Sequence, residues 1–297
     1  MDAIAFIGLG HMGAGMAANQ AKAGREVRAF DIVPSALERA EKDGCRRAPN
    51  IGEAVRGAGA VITMLPAAAH VRAVWEGEVI PNASRGTLLI DCSTVDVETA
   101  RDLGKKAGAA GLRAADAPVS GGVAAAEAGT LAFMVGCDES VYDDVAEALA
   151  PMSKAVIRAG APGAGQAAKI CNNMVLGVTM LGLCEALALA EKLELAPERF
   201  FEIASQSSGQ CWSLTSYCPW PGPVPAAPSN RNYEGGFLSS LMLKDLKLAQ
   251  DAAAKAGAAA PLGAQAEALY ALFDRLGFGG KDFSAVLQLF RGRLGEL

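Results

Sequence analysis

Ile4-Ala5-Phe6-Ile7-Gly8-Leu9-Gly10-His11-Met12-Gly13 decides the fold. A short apolar run ends in G-x-G-x-x-G, and Met12–Ala23 after it predicts a helix that stops at Gly24. The pattern is common in isolation. Here it follows a strand, opens a helix and starts a β-α-β unit, which is the context that gives it meaning. Gly8 permits a tight turn, Gly10 lets the backbone approach a pyrophosphate, and Gly13 lets the helix pack closely on the strand. The helix N-terminus then offers free N–H groups to phosphates.

The next strand, Glu26–Asp31, ends in a carboxylate. Asp31 at that position can accept hydrogen bonds from both ribose hydroxyls of NAD and would repel a 2′-phosphate. Ile32, Val33 and Pro34 follow it, so no arginine is at hand for NADP. NAD is the expected cofactor; the alternative for Asp31 is a solvated turn carboxylate.

Further strands are expected at Ala60–Leu65, Thr87–Asp91, Arg113–Ala117, Leu131–Val135 and Lys154–Arg158, with helices at Pro34–Asp43 and Glu139–Leu149. Such alternation implies an α/β Rossmann domain with a doubly wound, mostly parallel sheet. From about Gly165 the pattern turns helical. Gln166–Leu193, Pro197–Ser207, Leu241–Ala256, Leu262–Leu276 and Phe283–Phe290 read as helices. The expectation is therefore an NAD-binding domain over residues 1–163 and an all-α domain over 164–297, joined by a long interdomain helix. Gly209–Gly236 carries Pro219, Pro221, Pro223, Pro225 and Pro228, which argue against regular structure there. A loop of that length serves either the pocket or a partner subunit.

Composition narrows the function. The chain has 297 residues, which suggests two domains at roughly 150 residues each. It is 51% hydrophobic with net charge −5, which gives no broad attraction for nucleic acid or acidic membranes. Seven cysteines without C-x-x-C spacing and two histidines indicate neither a disulfide framework nor a metal site. Ile170–Cys184, the longest uncharged stretch, is short for a bilayer and contains Asn172 and Asn173. Apolar residues begin at Ala3 without a basic n-region, so no signal peptide is expected.

Histidine is the usual base of hydroxy-acid dehydrogenases, but His11 lies in the glycine loop and His70 follows the Met64-Leu65-Pro66 strand end, both on the cofactor side. A lysine can replace it, because burial lowers its pKa and lets it take or give a proton. Lys169 sits in the first turn of the long apolar helix and shares a face with Asn173 at i+4. The two could converge on one substrate oxygen; alternatively Lys169 snorkels from a helix end. Asp116-Ala117-Pro118-Val119-Ser120-Gly121-Gly122 ends a strand with a serine and two glycines. Its N–H groups could form a nest for a carboxylate with the Ser120 hydroxyl as an added donor, or a plain glycine turn.

Together these segments resemble the β-hydroxyacid dehydrogenase family over essentially the whole chain, most closely its hydroxyisobutyrate branch. Phe6–Gly13 is similar to the family's cofactor motif, Asp116–Gly122 to its substrate motif and Gly165–Asn173 to its catalytic motif. Lys169-Ile170-Cys171-Asn172-Asn173-Met174 looks like that branch rather than the tartronate semialdehyde reductases. So do Ser207–Trp212, Tyr217–Pro223, Tyr233–Phe237 and Leu243-Lys244-Asp245-Leu246.

The resemblance implies NAD-dependent oxidation of 3-hydroxyisobutyrate to its semialdehyde in valine breakdown. Another small 3-hydroxy acid, such as L-serine or a glycerate, is the alternative. Lys169 would transfer the proton with Asn173 beside the reacting oxygen. Ser120, Gly121 and Gly122 would hold the substrate carboxylate, with Trp212 and Lys244 also at the substrate. Gly8, Leu9, Gly10, His11, Met12, Gly13, Asp31, Leu65, Pro66, His70, Thr94, Lys244 and Asp245 would contact cofactor. The substrate would sit between the domains. A homodimer or homotetramer is expected, in bacterial cytoplasm, since the mitochondrial presequence of the animal enzymes is not seen. A non-catalytic cofactor-binding protein of the same fold would have lost the lysine, and a purely structural one leaves Gly8–Gly13 and Asp31 unexplained.

Overall fold

The computed structural model describes residues 3–297. Its strands are β1 (Ala3–Ile7), β2 (Glu26–Phe30), β3 (Arg46–Arg47), β4 (Ala60–Thr63), β5 (Leu88–Asp91), β6 (Arg113–Asp116), β7 (Val119–Ser120), β8 (Leu131–Cys137) and β9 (Ser153–Gly160). They form one sheet in the order β3-β2-β1-β4-β5-β6-β8-β7, with β9 paired to β8. The pairs from β3 through β6 are parallel, as are β8 and β9, whereas β6 and β7 run antiparallel to β8. The run β3-β2-β1-β4-β5-β6 is the doubly wound Rossmann order.

Strand periodicity sorts the apolar residues between the two faces of the sheet. Ile4, Phe6, Ile62, Leu88 and Ile90 pack on one face with Met16 of the Gly13–Lys22 helix. Ala5, Ile7, Val61 and Leu89 pack on the other with Trp75, Val79 and Leu103. Both faces are covered, which is why the strands read as apolar runs rather than alternating ones.

The register places the strand ends in a row. Phe30 pairs with Ile7, Ile7 with Thr63, Thr63 with Asp91, and Asp91 with Asp116. Every loop that leaves this row starts from the same edge of the sheet, where open α/β sheets bind ligands.

The chain divides into two compact units, the first ending at Lys169 and the second running Ile170–Leu297. The division lies inside the 29-residue helix Ala164–Lys192, six residues beyond the edge expected at 163. The reason is local. Gln166 hydrogen-bonds through its side chain to Ser93 and Val95 and through its backbone to Asp116, so the first turn of the helix belongs to the sheet.

In the second unit the long helix supplies Met180, Leu183, Cys184 and Leu187 to a core shared with Met242, Leu246, Tyr270, Phe273 and Phe283. The helix has the length and composition to cross a bilayer, but half of its most apolar window is buried within the protein. The remaining helices include Pro197–Ser205, Ser239–Ala256, Pro261–Phe273 and Leu287–Arg291. The third of these ends three residues short of its expected Leu276 terminus, in a wide turn over Asp274–Phe278 where Gly277 takes φ +97°. The proline-rich stretch is not wholly irregular. Trp212–Thr215 forms one helical turn and Pro228–Arg231 a 3-10 turn, each starting where proline is absent or at the first position it tolerates.

Candidate active site

The glycine loop shows three different needs for glycine. Gly8 has φ +96°, and a Cβ there would strike the Met64 carbonyl oxygen. A Cβ on Gly13 would strike the Gly8 carbonyl oxygen. A Cβ on Gly10 would meet no described atom within 4 Å. Gly8 and Gly13 are thus fixed by internal packing, whereas Gly10 leaves open space beside its backbone. The helix beginning at Gly13 has no side-chain cap and no acidic residue in its first turn among the described residues. No side chain therefore competes with an anion at this helix start. These features fit a dinucleotide.

Asp31 lies just past β2, and its carboxylate accepts the Leu9 N–H at 2.6 Å and the Val33 N–H at 2.8 Å. The carboxylate therefore ties the glycine loop to the next crossover, and each oxygen keeps lone pairs for further donors. The reading of Asp31 as a merely solvated turn residue does not hold. Ile32 beside it is 89% exposed, an apolar surface at the same edge.

The loops after β4 and β5 are joined by a chain of polar groups in which every donor has an acceptor. Trp75 Nε1 donates to Thr63 Oγ1 at 3.1 Å, and Thr63 donates to Asp91 at 2.7 Å. Leu65 N–H donates to Ser93 Oγ at 2.8 Å, and Ser93 donates to Asp91 at 2.6 Å. Asp91 so fixes Leu65 beside the segment that carries Thr94. Pro66 and His70 are exposed and Thr94 is half-buried.

Asp116 closes β6, with 5% of its surface exposed. Its carboxylate accepts the Gly163 N–H at 2.6 Å and the Gln166 N–H at 2.8 Å. Burial, with Asp91 adding repulsion, pushes its carboxyl up to about 6. Gln166 in turn accepts the Val95 N–H at 3.0 Å and donates to the Ser93 carbonyl at 2.8 Å. Ser120 does not end β6. It lies on the separate two-residue strand β7, held against Ala132 of β8. Gly121 and Gly122 follow at φ +141° and +74°, exposed, and open the helix Gly122–Ala128.

Lys169 is buried at 7% exposure, which excludes a lysine snorkelling to solvent. One turn further along the helix, Asn173 is 1% exposed and donates from Nδ2 to Asp245 Oδ2 at 2.5 Å. Lys244 Nζ lies 3.5 Å from Asp245 Oδ1. Asp245, expected at the cofactor, is buried at 3% exposure and engaged with Asn173 and Lys244. Trp212 is 51% exposed and stacks on Tyr217 with ring centroids 5.0 Å apart. Tyr217 donates to the buried Asp282 at 2.7 Å.

Asp91, Ser93, Gln166 and the carboxylate role of Asp116 escaped the sequence reading. The available signal was a carboxylate closing each of two apolar strands, Leu88–Asp91 and Arg113–Asp116.

Comparison with known proteins agrees with this geometry. Residues 3–160 match the NAD-binding domain of 6-phosphogluconate dehydrogenase. Residues 163–290 match the NAD-binding domain of NADP-dependent 3-hydroxyisobutyrate dehydrogenase. The Mycobacterium tuberculosis 3-hydroxyisobutyrate dehydrogenase solved with L-serine superposes with TM-score 0.94 at 47% identity, covering 98% of this chain and 99% of that one. Among curated proteins, the Pseudomonas aeruginosa 3-hydroxyisobutyrate dehydrogenase is 45% identical over 99% of this chain and 100% of its own length. The NAD-dependent L-serine dehydrogenase of the same organism is 44% identical over 100% of both. Fold, glycine loop and whole-length similarity together make this chain an NAD-binding oxidoreductase that belongs to the β-hydroxyacid dehydrogenase family, alongside the 3-hydroxyisobutyrate dehydrogenases.

Proposed function

We propose that the chain oxidises 3-hydroxyisobutyrate to methylmalonate semialdehyde, a step of valine catabolism, with NAD as cofactor and Lys169 as acid–base group. The observation that carries this reading is the burial of Lys169 one turn from the still more deeply buried Asn173. A lysine is rarely buried without a specific role. Bound NAD supplies the hydride acceptor. Gly8–Gly13 and the uncapped helix behind them would hold its pyrophosphate, and the free lone pairs of Asp31 its ribose. Leu65, Pro66, His70 and Thr94, on loops leaving the same sheet edge, would flank it. Ser120 with the N–H groups of Gly121 and Gly122 would anchor the substrate carboxylate. Lys169 Nζ would take the hydroxyl proton as the aldehyde forms and return it in the reverse direction, with Asn173 holding the oxygen. Trp212 and Lys244 would contact substrate.

L-serine is the second reading, favoured by the serine dehydrogenase relative and by the serine-bound structure. Serine carries an amino group where hydroxyisobutyrate carries a methyl, both on the carbon next to the carboxylate. Both present a β-hydroxyl. Steady-state kinetics with 3-hydroxyisobutyrate, L-serine, glycerate and lactate decide between them. The highest kcat/KM is expected with 3-hydroxyisobutyrate. Lactate, whose hydroxyl lies one carbon closer to the anchored carboxylate, is expected at least about 10²-fold lower, the scale of a 1 Å misplacement. A higher value for serine would reassign the substrate, and comparable turnover of lactate would contradict the anchor.

Exposed Val175, Leu189 and Ile203 on helices of the second unit, with Leu193 in the turn just past the first, support a homodimer or homotetramer, which sedimentation would measure. Seven free cysteines suit a reducing compartment such as bacterial cytoplasm.

A further inference from the structure

We propose that Asp116 is a positioning residue for the reaction: its ionised carboxylate ties the first turn of the Lys169 helix to the strand that leads into Ser120, and so sets the distance between substrate anchor and proton acceptor. This rests on the reading of Lys169 and Ser120 given above.

A helix starts with N–H groups that lack intrahelical partners, and these are usually satisfied by a residue close in sequence. Here the acceptor lies 47 residues before Gly163 and 50 before Gln166, on a different element. Each oxygen takes one N–H, at 2.6 and 2.8 Å, so both are committed to the helix start. The covalent paths outward are short. Lys169 follows Gln166 within one helical turn, and Ser120 follows Asp116 with the stiff Pro118 between them. Gln166 adds a third arm, since its side chain holds the Ser93–Val95 segment on either side of Thr94. The space is shaped for this carboxylate. A Cβ on Gly136 or on Gly165 would strike it.

The surroundings show that the arrangement costs stability. From β5, Asp91 faces Asp116 across the strand pair. From β8 comes the Cys137 thiol, with Arg158 and Asp138 beside that thiol. The helix Val97–Ala109 contributes Ala100, Leu103 and Gly104, with Arg101 packed against Gly163. Trp75 and Pro162 also border this space, and the long helix brings Gln166, whose N–H the carboxylate accepts. No cationic side chain lies within ion-pair distance of Asp116 among the described residues, so the ionised form is held by peptide N–H groups. A carboxylate kept ionised at such a cost is characteristic of functional sites. On protonation one oxygen becomes a donor, and one of the two N–H groups loses its acceptor.

The test uses the full-length enzyme in the aldehyde-reducing direction. There Lys169 must carry a proton, so acid does not disarm it and any loss of rate at low pH reports another group. Wild-type kcat should fall below about pH 6, approaching tenfold per pH unit. Asp116→Asn should lower kcat at pH 7 by about 10–100-fold, abolish the acid limb, and leave NADH affinity by fluorescence titration within about threefold. A folded Asp116→Asn enzyme with wild-type kcat, or with the acid limb retained, overturns the proposal. If that variant does not fold, the wild-type profile decides alone, because a rate flat to pH 5 also overturns it. The underlying reading fails separately: it would be lost if Lys169→Ala kept its turnover, whereas an inactive Lys169→Ala beside a flat wild-type profile would remove only the role of Asp116.

Discussion

Asn173 Nδ2 donates to Asp245 Oδ2 at 2.5 Å, joining the long helix to the helix Ser239–Ala256 through two buried polar side chains. This contact fixes which end of the Asn173 amide faces which neighbour, since Oδ1 accepts from Asn172 at 3.0 Å. Asp245→Ala leaves the amide donor unpaired in a buried site, a loss of about 1–3 kcal/mol. We expect a drop of about 10–100-fold in kcat/KM from the misplaced amide. Steady-state kinetics and a melting curve on the same variant check this. Wild-type kinetics in the alanine variant would show that Asn173 does not need the carboxylate.

Gly10 and Gly13 should separate binding from folding. Gly10→Ala has room for its methyl and should fold with an unchanged melting temperature, yet bind NAD at least about tenfold more weakly if the methyl stands in the proposed path of the pyrophosphate. Gly13→Ala should lose stability, on the order of 1–3 kcal/mol for overpacking, because its methyl strikes the Gly8 carbonyl. Calorimetry for NAD together with thermal melts distinguishes the two. Equal melting temperatures with equal affinities would contradict both assignments.

Cofactor preference should follow Asp31. NAD is expected over NADP, and Asp31→Ser with Ile32→Arg should narrow or reverse the ratio of kcat/KM values. The change removes a repelling charge and supplies one that pairs with a 2′-phosphate. The double variant should also be less stable, because Leu9 and Val33 lose their carboxylate acceptor. A wild-type enzyme more efficient with NADP would contradict this role of Asp31.

Asp116 should leave a signature in stability against pH. Its folded carboxyl is raised from 3.8 to about 6, so the folded state holds the proton more tightly than the unfolded chain. The resulting stabilisation is complete below about pH 4 and is lost as pH rises through 6, amounting to about 3 kcal/mol. Asp116→Asn does not titrate and should lack this component. Denaturant melts of both proteins at pH 4.5 and 7.5 give the difference, and parallel pH dependence in the two would show that Asp116 has an ordinary carboxyl.

The parallel part of the sheet was legible because strands buried on both faces must be apolar throughout, as Ile4–Ile7, Ala60–Ile62 and Leu88–Ile90 are. The glycine loop was legible because its spacing meets backbone requirements that no other residue satisfies at Gly8. The short strands β3 and β7 were not, since two residues carry no period and their pairing is decided by neighbours. Nor were the polar contacts that build the site. Thr63 with Asp91, Gln166 with Ser93, and Asn173 with Asp245 meet across 28, 73 and 72 residues, and a polar side chain gives no sign in sequence of a distant partner. Lys169 and Asn173 were paired by helical spacing alone, whereas their burial depends on packing that spacing does not describe.

Turnover of Lys169→Ala tests most directly the proposed transfer of the hydroxyl proton to Lys169. Kinetics, NAD affinity and melting temperature should be measured on the same preparation. Turnover should fall by about 10²–10⁴-fold, the usual range for loss of a general acid–base group. NAD affinity should change little, because the proposed pyrophosphate and ribose contacts lie at Gly8–Gly13 and Asp31. Lys169→Arg should not rescue, because a guanidinium does not release its proton near neutral pH. In the wild type the rate of oxidation should rise as the lysine loses its proton, and the alanine variant should lack that rise. A folded Lys169→Ala enzyme that binds NAD and turns over within a few-fold of wild type would contradict the account and leave the hydroxyl proton without an acceptor.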